Sequence, residues 1–195
     1  MCDRCKDLDF EKIQYRSLKI ALLVNLFCFF LECITGVLFN SVGLIADGLD
    51  MFADVCVYTA GILAIKKSTA YKKKVAMFNG IIHSILAIFA FCEVIRRFIY
   101  TPPLPNFVLM AVVSFIALLG NYISLKALLK ANNGEAHIKS VIICSTNDIK
   151  VNIGVIIASV FVNYFNSYVP DLIIGIMILY IGSKGIVEIF KTAKD

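Results

Sequence analysis

Long runs of apolar residues, separated by short polar or proline-containing connections, occupy most of this sequence. Six runs can be distinguished, and each is close to the roughly 20 residues that a helix needs to cross a bilayer. They cover approximately residues 18–39, 42–65, 75–99, 105–129, 141–164 and 172–190. The pattern predicts an all-α membrane protein with six transmembrane helices. We expect a polar N-terminal tail over residues 1–17, a six-helix domain over residues 18–190 and a short tail over residues 191–195.

The second apolar run contains three aspartates, Asp47, Asp50 and Asp54, at positions i, i+3 and i+7. This spacing places all three on one face of a helix. A charged side chain at the centre of a spanning helix raises the free energy of membrane insertion by about 2.5 to 3.5 kcal/mol, whereas an apolar residue lowers it by only about 0.5 kcal/mol. The acidic face must therefore turn away from lipid, towards other helices, water or a bound cation. The run predicts an ion-binding site inside the bundle.

Composition and charge support the membrane assignment and suggest an orientation. Of the 195 residues, 59% are hydrophobic, and the mean hydropathy of +0.84 excludes a soluble domain of ordinary composition. Lysines cluster after the second and fourth helices and at the C-terminal end, whereas the other connections carry no Lys or Arg. The positive-inside rule therefore places both termini and the lysine-rich connections in the cytoplasm. Arg96 and Arg97, at the outer end of the third helix, break this pattern, and we expect them to pair with Glu93 or to reach lipid headgroups.

Charge and cysteine usage restrict the function further. The net charge is +5, but the basic residues are not interleaved with aromatic residues, so lipid contact is favoured over nucleic-acid binding. The seven cysteines are scattered and do not form a disulfide framework. Cys2 and Cys5 have a spacing that suits two thiolates on one soft metal, although two thiolates do not complete a site, and the alternative is a reactive but otherwise ordinary flexible tail. His137, near the cytoplasmic end of the fifth helix, is a further candidate ligand where ions enter.

The fifth helix supplies a second pair of candidate ligands. Cys144 and Asp148 are four residues apart and therefore share a face. With Asp50 and Asp54 they form two i, i+4 pairs on two helices. Three carboxylate oxygens and one sulfur can close the tetrahedron that Zn²⁺ prefers.

The two pairs can form one site only if they lie at the same depth in the membrane. At about 1.5 Å per residue, Asp54 and Asp50 lie about 16 and 22 Å above the inner end of the second helix at Ile65. The pair on the fifth helix reaches the same levels if that helix begins near Asn133. We therefore predict that Gly134–Ser140 is already helical.

Several other polar residues lie inside the predicted helices. A tetrahedral site does not need Asp47, which we place on the outer approach to the ion. An alternative assignment uses Asn147 as a ligand and leaves the neighbouring cysteine as a packing residue. Glu32 and Lys150 are predicted to form a structural ion pair, with participation in the ion path as the alternative. His83 is expected to be a packing histidine, with a role in proton relay as the alternative.

Four segments of the sequence resemble the transmembrane domain of the cation diffusion facilitator family. They read EC-TG--FNSVGLIADGLDMFADV (residues 32–55), FCEVIRRFI (91–99), Gly120-Asn121 and CSTNDIKVNIGVIIAS (144–159). The resemblance extends over essentially the whole chain. It implies a homodimer that exports a divalent cation from the cytoplasm by alternating access, in exchange for protons.

The resemblance also implies a ligand set. In the family, two residues four apart on the second helix and two on the fifth bind Zn²⁺ or a similar ion, which corresponds here to Asp50, Asp54, Cys144 and Asp148. Two departures from the family pattern concern the ligands: aspartate stands where many zinc members have histidine, and Cys144 stands where histidine or aspartate is usual. Because a thiolate favours soft ions, we expect Zn²⁺ or Cd²⁺. The family commonly has a cytosolic C-terminal domain, and since only residues 191–195 follow the last predicted helix, we expect the membrane helices to hold the dimer.

Proton exchange also follows from electrostatics, because clustered aspartates in a low-dielectric site retain protons that an arriving metal must expel. A membrane metal sensor or accessory subunit is the leading alternative, and an intramembrane hydrolase with paired aspartates is a third class. We expect the protein to reside in the cell membrane, which would be the inner membrane of a bacterium.

Overall fold

The computed structural model describes residues 3–100 and 103–194, with the side chains of residues 3–8 excepted. The described residues form six helices and no strand, as expected. The helices are α1 (Asp3–Leu38), α2 (Val42–Ala64), α3 (Thr69–Ile99), α4 (Phe107–Lys130), α5 (Ala136–Phe165) and α6 (Val169–Lys194). Five of them are long and apolar enough to cross a membrane. The sixth is α2, which carries the three aspartates.

Several helices extend beyond the apolar runs that predicted them. Residues 3–17, which were expected to form a polar tail, are helical, because α1 begins at Asp3 and continues without a break into the apolar run. Similarly, α3 begins six residues before Val75, because the Ser68 side chain accepts a hydrogen bond from the backbone N–H of Tyr71 and caps the helix. The last helix continues to Lys194, so most of the predicted C-terminal tail is also helical.

The start of α5 was predicted from the depth of its candidate ligands. Residues 136–140 are helical, as predicted, but Gly134 is not. Its φ of 85° belongs to a turn, and Glu135 occupies the N-cap position. The prediction placed the start of the helix two residues too early, because a turn between α4 and α5 needs the left-handed conformation that glycine adopts easily.

The helix contacts place α2 in the interior of the bundle. It touches α1, α3, α5 and α6, whereas α4 packs against α1 and α5 on one side and α3 packs against α6 on the other. The large side chains on the outside are aliphatic and aromatic, as expected for a surface in lipid. The interior, by contrast, contains many buried polar side chains, including Asn25, Glu32, Asn121 and Asn152. An apolar exterior around a polar interior is typical of a membrane protein with an ion path.

Small residues allow α1 and α2 to approach closely. A Cβ added at Gly48 would lie 2.7 Å from the Sγ and 3.1 Å from the backbone nitrogen of Cys33. Because glycine has no side chain, this part of α2 can lie directly against α1. The contact brings Glu32 of α1 beside Asp47 of α2, and both are completely buried.

At the end of the bundle opposite the lysine-rich connections, charged side chains hold the start of α2 to α6 and the end of α1 to α3. Asp171 lies in the first turn of α6 and accepts hydrogen bonds from the N-terminus of α2. Arg96 and Arg97 both pair with Glu93, at 2.8 and 2.6 Å, which was one of the two expected arrangements. Arg97 also donates a hydrogen bond to the backbone carbonyl of Asn40 at 2.6 Å.

Candidate metal site

Asp54 lies near the middle of α2 and is completely buried. Tyr58, one turn further along the same helix, donates its hydroxyl to Oδ2 of Asp54 at 2.7 Å. This bond fixes the orientation of the carboxylate. Among the described residues, the other oxygen, Oδ1, has no hydrogen-bond partner, so it is free to bind a ligand.

His83 on α3 reaches the same point from another helix. Its Nδ1 lies 3.1 Å from the backbone carbonyl oxygen of Asn79. A carbonyl can only accept, so Nδ1 carries the proton of this hydrogen bond. The second ring nitrogen, Nε2, lies 3.2 Å from Oδ1 of Asp54 and 3.6 Å from Oδ1 of Asp50.

Cys144 on α5 completes a cluster of three possible metal ligands. Its Sγ lies 3.6 Å from both Oδ1 and Nδ2 of the Asn79 side chain. One donor atom each from Asp54, His83 and Cys144 lies within 4.8 Å of the others, and all three residues are buried. One candidate ligand of the second helix, Asp54, and one of the fifth, Cys144, therefore lie at the same depth.

Asp148 and Asp50 are the other two predicted ligands. Asp148 follows Cys144 by one turn and is 1% exposed, yet neither of its carboxylate oxygens has a hydrogen-bond partner among the described residues. Asp50 is more accessible, with 23% of its side chain exposed. It borders a cavity of about 30 Å³ between α2, α3 and α6, which His83 also lines and which is large enough for a water molecule. Two of the four predicted residues, Asp54 and Cys144, are therefore part of the cluster, and Asp50 and Asp148 lie beside it.

The accessory candidates lie elsewhere. Asp47 is buried beside Glu32. Asn147 lies against Gly185 of α6 and accepts a hydrogen bond from Lys150, so it is not part of the cluster. His137 is buried closer to the start of α5, with Nδ1 3.6 Å from Oε2 of Glu135. Cys2 and the side chain of Cys5 lie outside the described part of the chain.

Two predictions about other residues are wrong. Lys150 does not pair with Glu32, because it lies exposed on the outer face of α5 and its Nζ is 3.1 Å from Oδ1 of Asn147. His83 is not only a packing residue, because it contacts two of the predicted ligands. The sequence contained one sign of this, since Asn79 and His83 are polar residues four apart in an apolar run. It did not show which neighbouring helix they face.

A separate polar cluster, which we call the inner cluster, joins three helices near the lysine-rich end. Oε1 of Glu135 accepts a hydrogen bond from Nζ of Lys72 on α3 at 2.6 Å, and Oε2 accepts one from Nε2 of Gln14 on α1 at 3.2 Å. Partial burial would raise the pKa of Glu135, but these hydrogen bonds outweigh it and hold the pKa below its ordinary value. The inner cluster is therefore an ionised, well-paired contact.

The family assignment follows from a comparison with known proteins. A family model described as the cation efflux transmembrane domain matches residues 18–194. This chain belongs to the cation efflux family. The match includes all of α2 and α5, and it confirms the resemblance to the cation diffusion facilitator family. It also confirms that the chain is an integral membrane protein.

Several curated proteins are also similar to this chain. Zinc homeostasis factor 1 of Schizosaccharomyces pombe is 32% identical over 125 residues, which are 56% of this chain and 32% of that protein. The metal cation efflux system protein CzcD of Cupriavidus metallidurans is 27% identical over 175 residues, 84% of this chain and 55% of CzcD. The cation efflux system protein CzcD of an Alcaligenes species matches equally well. The chain thus spans between about a third and about half of the length of these curated relatives.

Proposed function

We propose that this protein exports a divalent transition-metal cation from the cytoplasm, with Zn²⁺ and Cd²⁺ as its main substrates. The observation that carries the proposal is the group of unpaired donor atoms between α2 and α5. Oδ1 of Asp54 and both oxygens of Asp148 are buried without hydrogen-bond partners among the described residues, and the Sγ of Cys144 lies beside Asp54. Buried carboxylates without partners are costly, and a bound cation would offset that cost.

The chemistry of the donor atoms supports a transition metal of borderline or soft character. Asp50, Asp54, Cys144 and Asp148 offer three carboxylates and one thiolate. Hard ions such as Mg²⁺, Ca²⁺ and Mn²⁺ prefer sites made only of oxygen, whereas a thiolate favours Zn²⁺ or Cd²⁺. The names of the relatives point the same way, because one is a zinc homeostasis factor and two are cation efflux system proteins.

We propose that protons are the counter-ion. The ligands must lose their protons before they bind a metal, so metal and protons compete for the same atoms. When the site opens to the other side of the membrane, protons can displace the metal and return to the cytoplasm with the empty carrier. The resemblance to the cation diffusion facilitator family further supports a homodimer, which we expect the transmembrane helices to form.

Transport into proteoliposomes tests this proposal. The full chain is reconstituted with a metal-sensitive dye and a pH-sensitive dye inside, and Zn²⁺, Cd²⁺ and Mn²⁺ are added outside. We expect Zn²⁺ and Cd²⁺ uptake with an opposite movement of protons, and neither in Asp54→Asn or Asp148→Asn. Asp9→Asn, at an exposed carboxylate on α1, is the matched control and should transport normally.

Two results would contradict the proposal. If metal uptake ignored an imposed pH gradient, the exchange with protons would be wrong, although transport itself would stand. If the wild-type protein bound zinc but moved no metal, the alternative of a metal sensor or accessory subunit would replace export.

A further inference from the structure

We propose that His83 of α3 is a direct ligand of the transported ion, so that three helices rather than two form the site. This inference rests on the proposed function and changes its ligand set, because a nitrogen donor from a third helix takes the place of Asp50. The predicted ligand set contained only residues of the second and fifth helices. Three observations support the addition of His83.

The first observation is that a hydrogen bond holds the imidazole ring in the orientation that a ligand needs. Its Nδ1 donates to the backbone carbonyl of Asn79, 3.1 Å away. Histidines that bind metals almost always donate their other ring N–H in this way, which fixes the tautomer and aims the free nitrogen at the metal. Here the free nitrogen is Nε2, and it points towards the carboxylates of α2.

The second observation is that Nε2 has no hydrogen-bond partner of its own. His83 is only 6% exposed, and Nε2 is buried without a hydrogen bond to any described residue. Oδ1 of Asp54 lies 3.2 Å away and is also without a hydrogen bond, because with the ring proton on Nδ1 both Nε2 and this carboxylate oxygen can only accept. A histidine that served only to support the fold would be expected to satisfy this atom. Both atoms instead face a common point between the helices.

The third observation is the spacing of the donor atoms. With Zn–N and Zn–O distances of about 2.0–2.1 Å, two ligand atoms on a tetrahedral zinc ion are separated by about 3.3 Å. The 3.2 Å between Nε2 of His83 and Oδ1 of Asp54 is close to this value. Sγ of Cys144 lies within 4.8 Å of one donor atom each of Asp54 and His83, so a small movement of α5 would bring it to the third corner. Asp148 is placed to supply the fourth ligand.

A site of this composition has consequences for selectivity. One nitrogen and one sulfur beside two carboxylate oxygens match the ligands that Zn²⁺ and Cd²⁺ accept, and they make the site less suitable for Mn²⁺ and Mg²⁺. Without the imidazole, at most three of the four protein ligands in this tetrahedron would remain. We therefore expect His83→Gln to weaken zinc binding at least about 100-fold, since even outer-shell partners of metal ligands contribute 10–100-fold.

X-ray absorption at the zinc edge tests the inference directly, because coordinated imidazole produces a characteristic multiple-scattering pattern. The purified full chain, free of affinity-tag histidines, is loaded with one equivalent of Zn²⁺. It contains only two histidines, so His137→Gln is the matched control for His83→Gln. We expect one imidazole in the wild-type and His137→Gln spectra and none in His83→Gln. If His83→Gln fails to fold, an imidazole signal that persists in His137→Gln still assigns the ligand to His83.

The outcomes separate this inference from the proposed function. Wild-type protein that binds zinc through oxygen and sulfur alone would overturn the role of His83 and leave the proposed site intact, provided that Asp54→Asn abolishes binding. An imidazole signal that disappears in His137→Gln rather than in His83→Gln would also overturn it. Wild-type protein that binds no zinc would refute the proposed function, and this inference with it.

Discussion

Two aspartates in this protein are equally buried but have opposite surroundings. Asp171 and Asp148 are each 1% exposed. Oδ1 of Asp171 accepts hydrogen bonds from the hydroxyl of Ser41 at 2.8 Å and the N–H of Gly43 at 3.1 Å, and its Oδ2 accepts one from the N–H of Val42 at 2.5 Å. Neither oxygen of Asp148 has a hydrogen-bond donor among the described residues. Partners, rather than burial, therefore distinguish an acid that stabilises the fold from one that is available to an ion.

The largest expected effect of this difference is on transport. Asp148→Asn should reduce zinc flux into proteoliposomes at least about 100-fold, because it removes a charged metal ligand. Asp171→Asn preserves the shape of a side chain that touches no proposed ligand, and its flux per folded molecule should stay within about threefold of wild type. If both variants lost the same amount of zinc flux, the hydrogen-bond partners of the two aspartates would not distinguish a structural role from a role in transport.

The order of the two effects reverses when stability is measured, because substitution of Asp171 should then cost more than substitution of Asp148. Asp171→Ala leaves the N–H groups at the start of α2 without their acceptor and should lower the free energy of unfolding by about 2–4 kcal/mol. Asp148→Ala removes an unpaired buried carboxylate and should leave metal-free stability unchanged or raise it. Thermal unfolding in detergent without metal measures both variants. A lower melting temperature for Asp148→Ala than for Asp171→Ala would contradict the assignment of roles.

A smaller effect is expected from the sulfur ligand. Cys144→Ser replaces a soft donor by a hard one, so the ratio of Cd²⁺ to Mn²⁺ transport should fall about tenfold or more. Cys28 is equally well buried, at 1% exposed, and lies outside the cluster. Cys28→Ser should leave the ratio unchanged, and competition assays with both ions measure it. An unchanged ratio in Cys144→Ser would indicate that the cysteine only packs.

The inner cluster should produce the smallest effect. Because the folded-state pKa of Glu135 lies below its ordinary value of 4.5, its contribution to stability is complete above that pH and is lost as the pH falls through the lower folded-state value. Ionic contacts at a protein surface contribute little, so Glu135→Gln should cost about 0.5–1 kcal/mol near neutral pH. Unfolding measured from pH 7 to pH 3 should show the difference from wild type disappearing in the acid range. A difference in the free energy of unfolding that stayed constant over this pH range would contradict this role of Glu135.

The sequence was informative where a single physical quantity decides the outcome. The length of each apolar run predicted six helices, and the rise per residue predicted that Asp54 and Cys144 meet at one level. Helix ends were less predictable, because the side chain of Ser68 and the turn at Gly134 act locally within polar segments that hydropathy does not resolve.

The rotation of each helix about its axis was the main property that the sequence did not determine. Lys150 and Glu32 were placed at similar depths, yet Lys150 lies on the outer face of α5. Asn147, beside a predicted ligand, faces Gly185 of α6 instead of the ion. The contact of His83 with the predicted ligands was not predicted for the same reason. The packing of α3 against its neighbours determines that the imidazole ring faces α2. Depth follows from counting residues, whereas rotation depends on side chains of several helices together.

Anomalous diffraction at the zinc absorption edge, from crystals of the full chain soaked in Zn²⁺, tests the central claim most directly. We expect one strong peak between α2 and α5, about 2.0–2.3 Å from donor atoms of Asp54, Cys144 and Asp148. A peak beside Glu32 and Asp47, or at the inner cluster, with these three side chains unliganded would contradict the account.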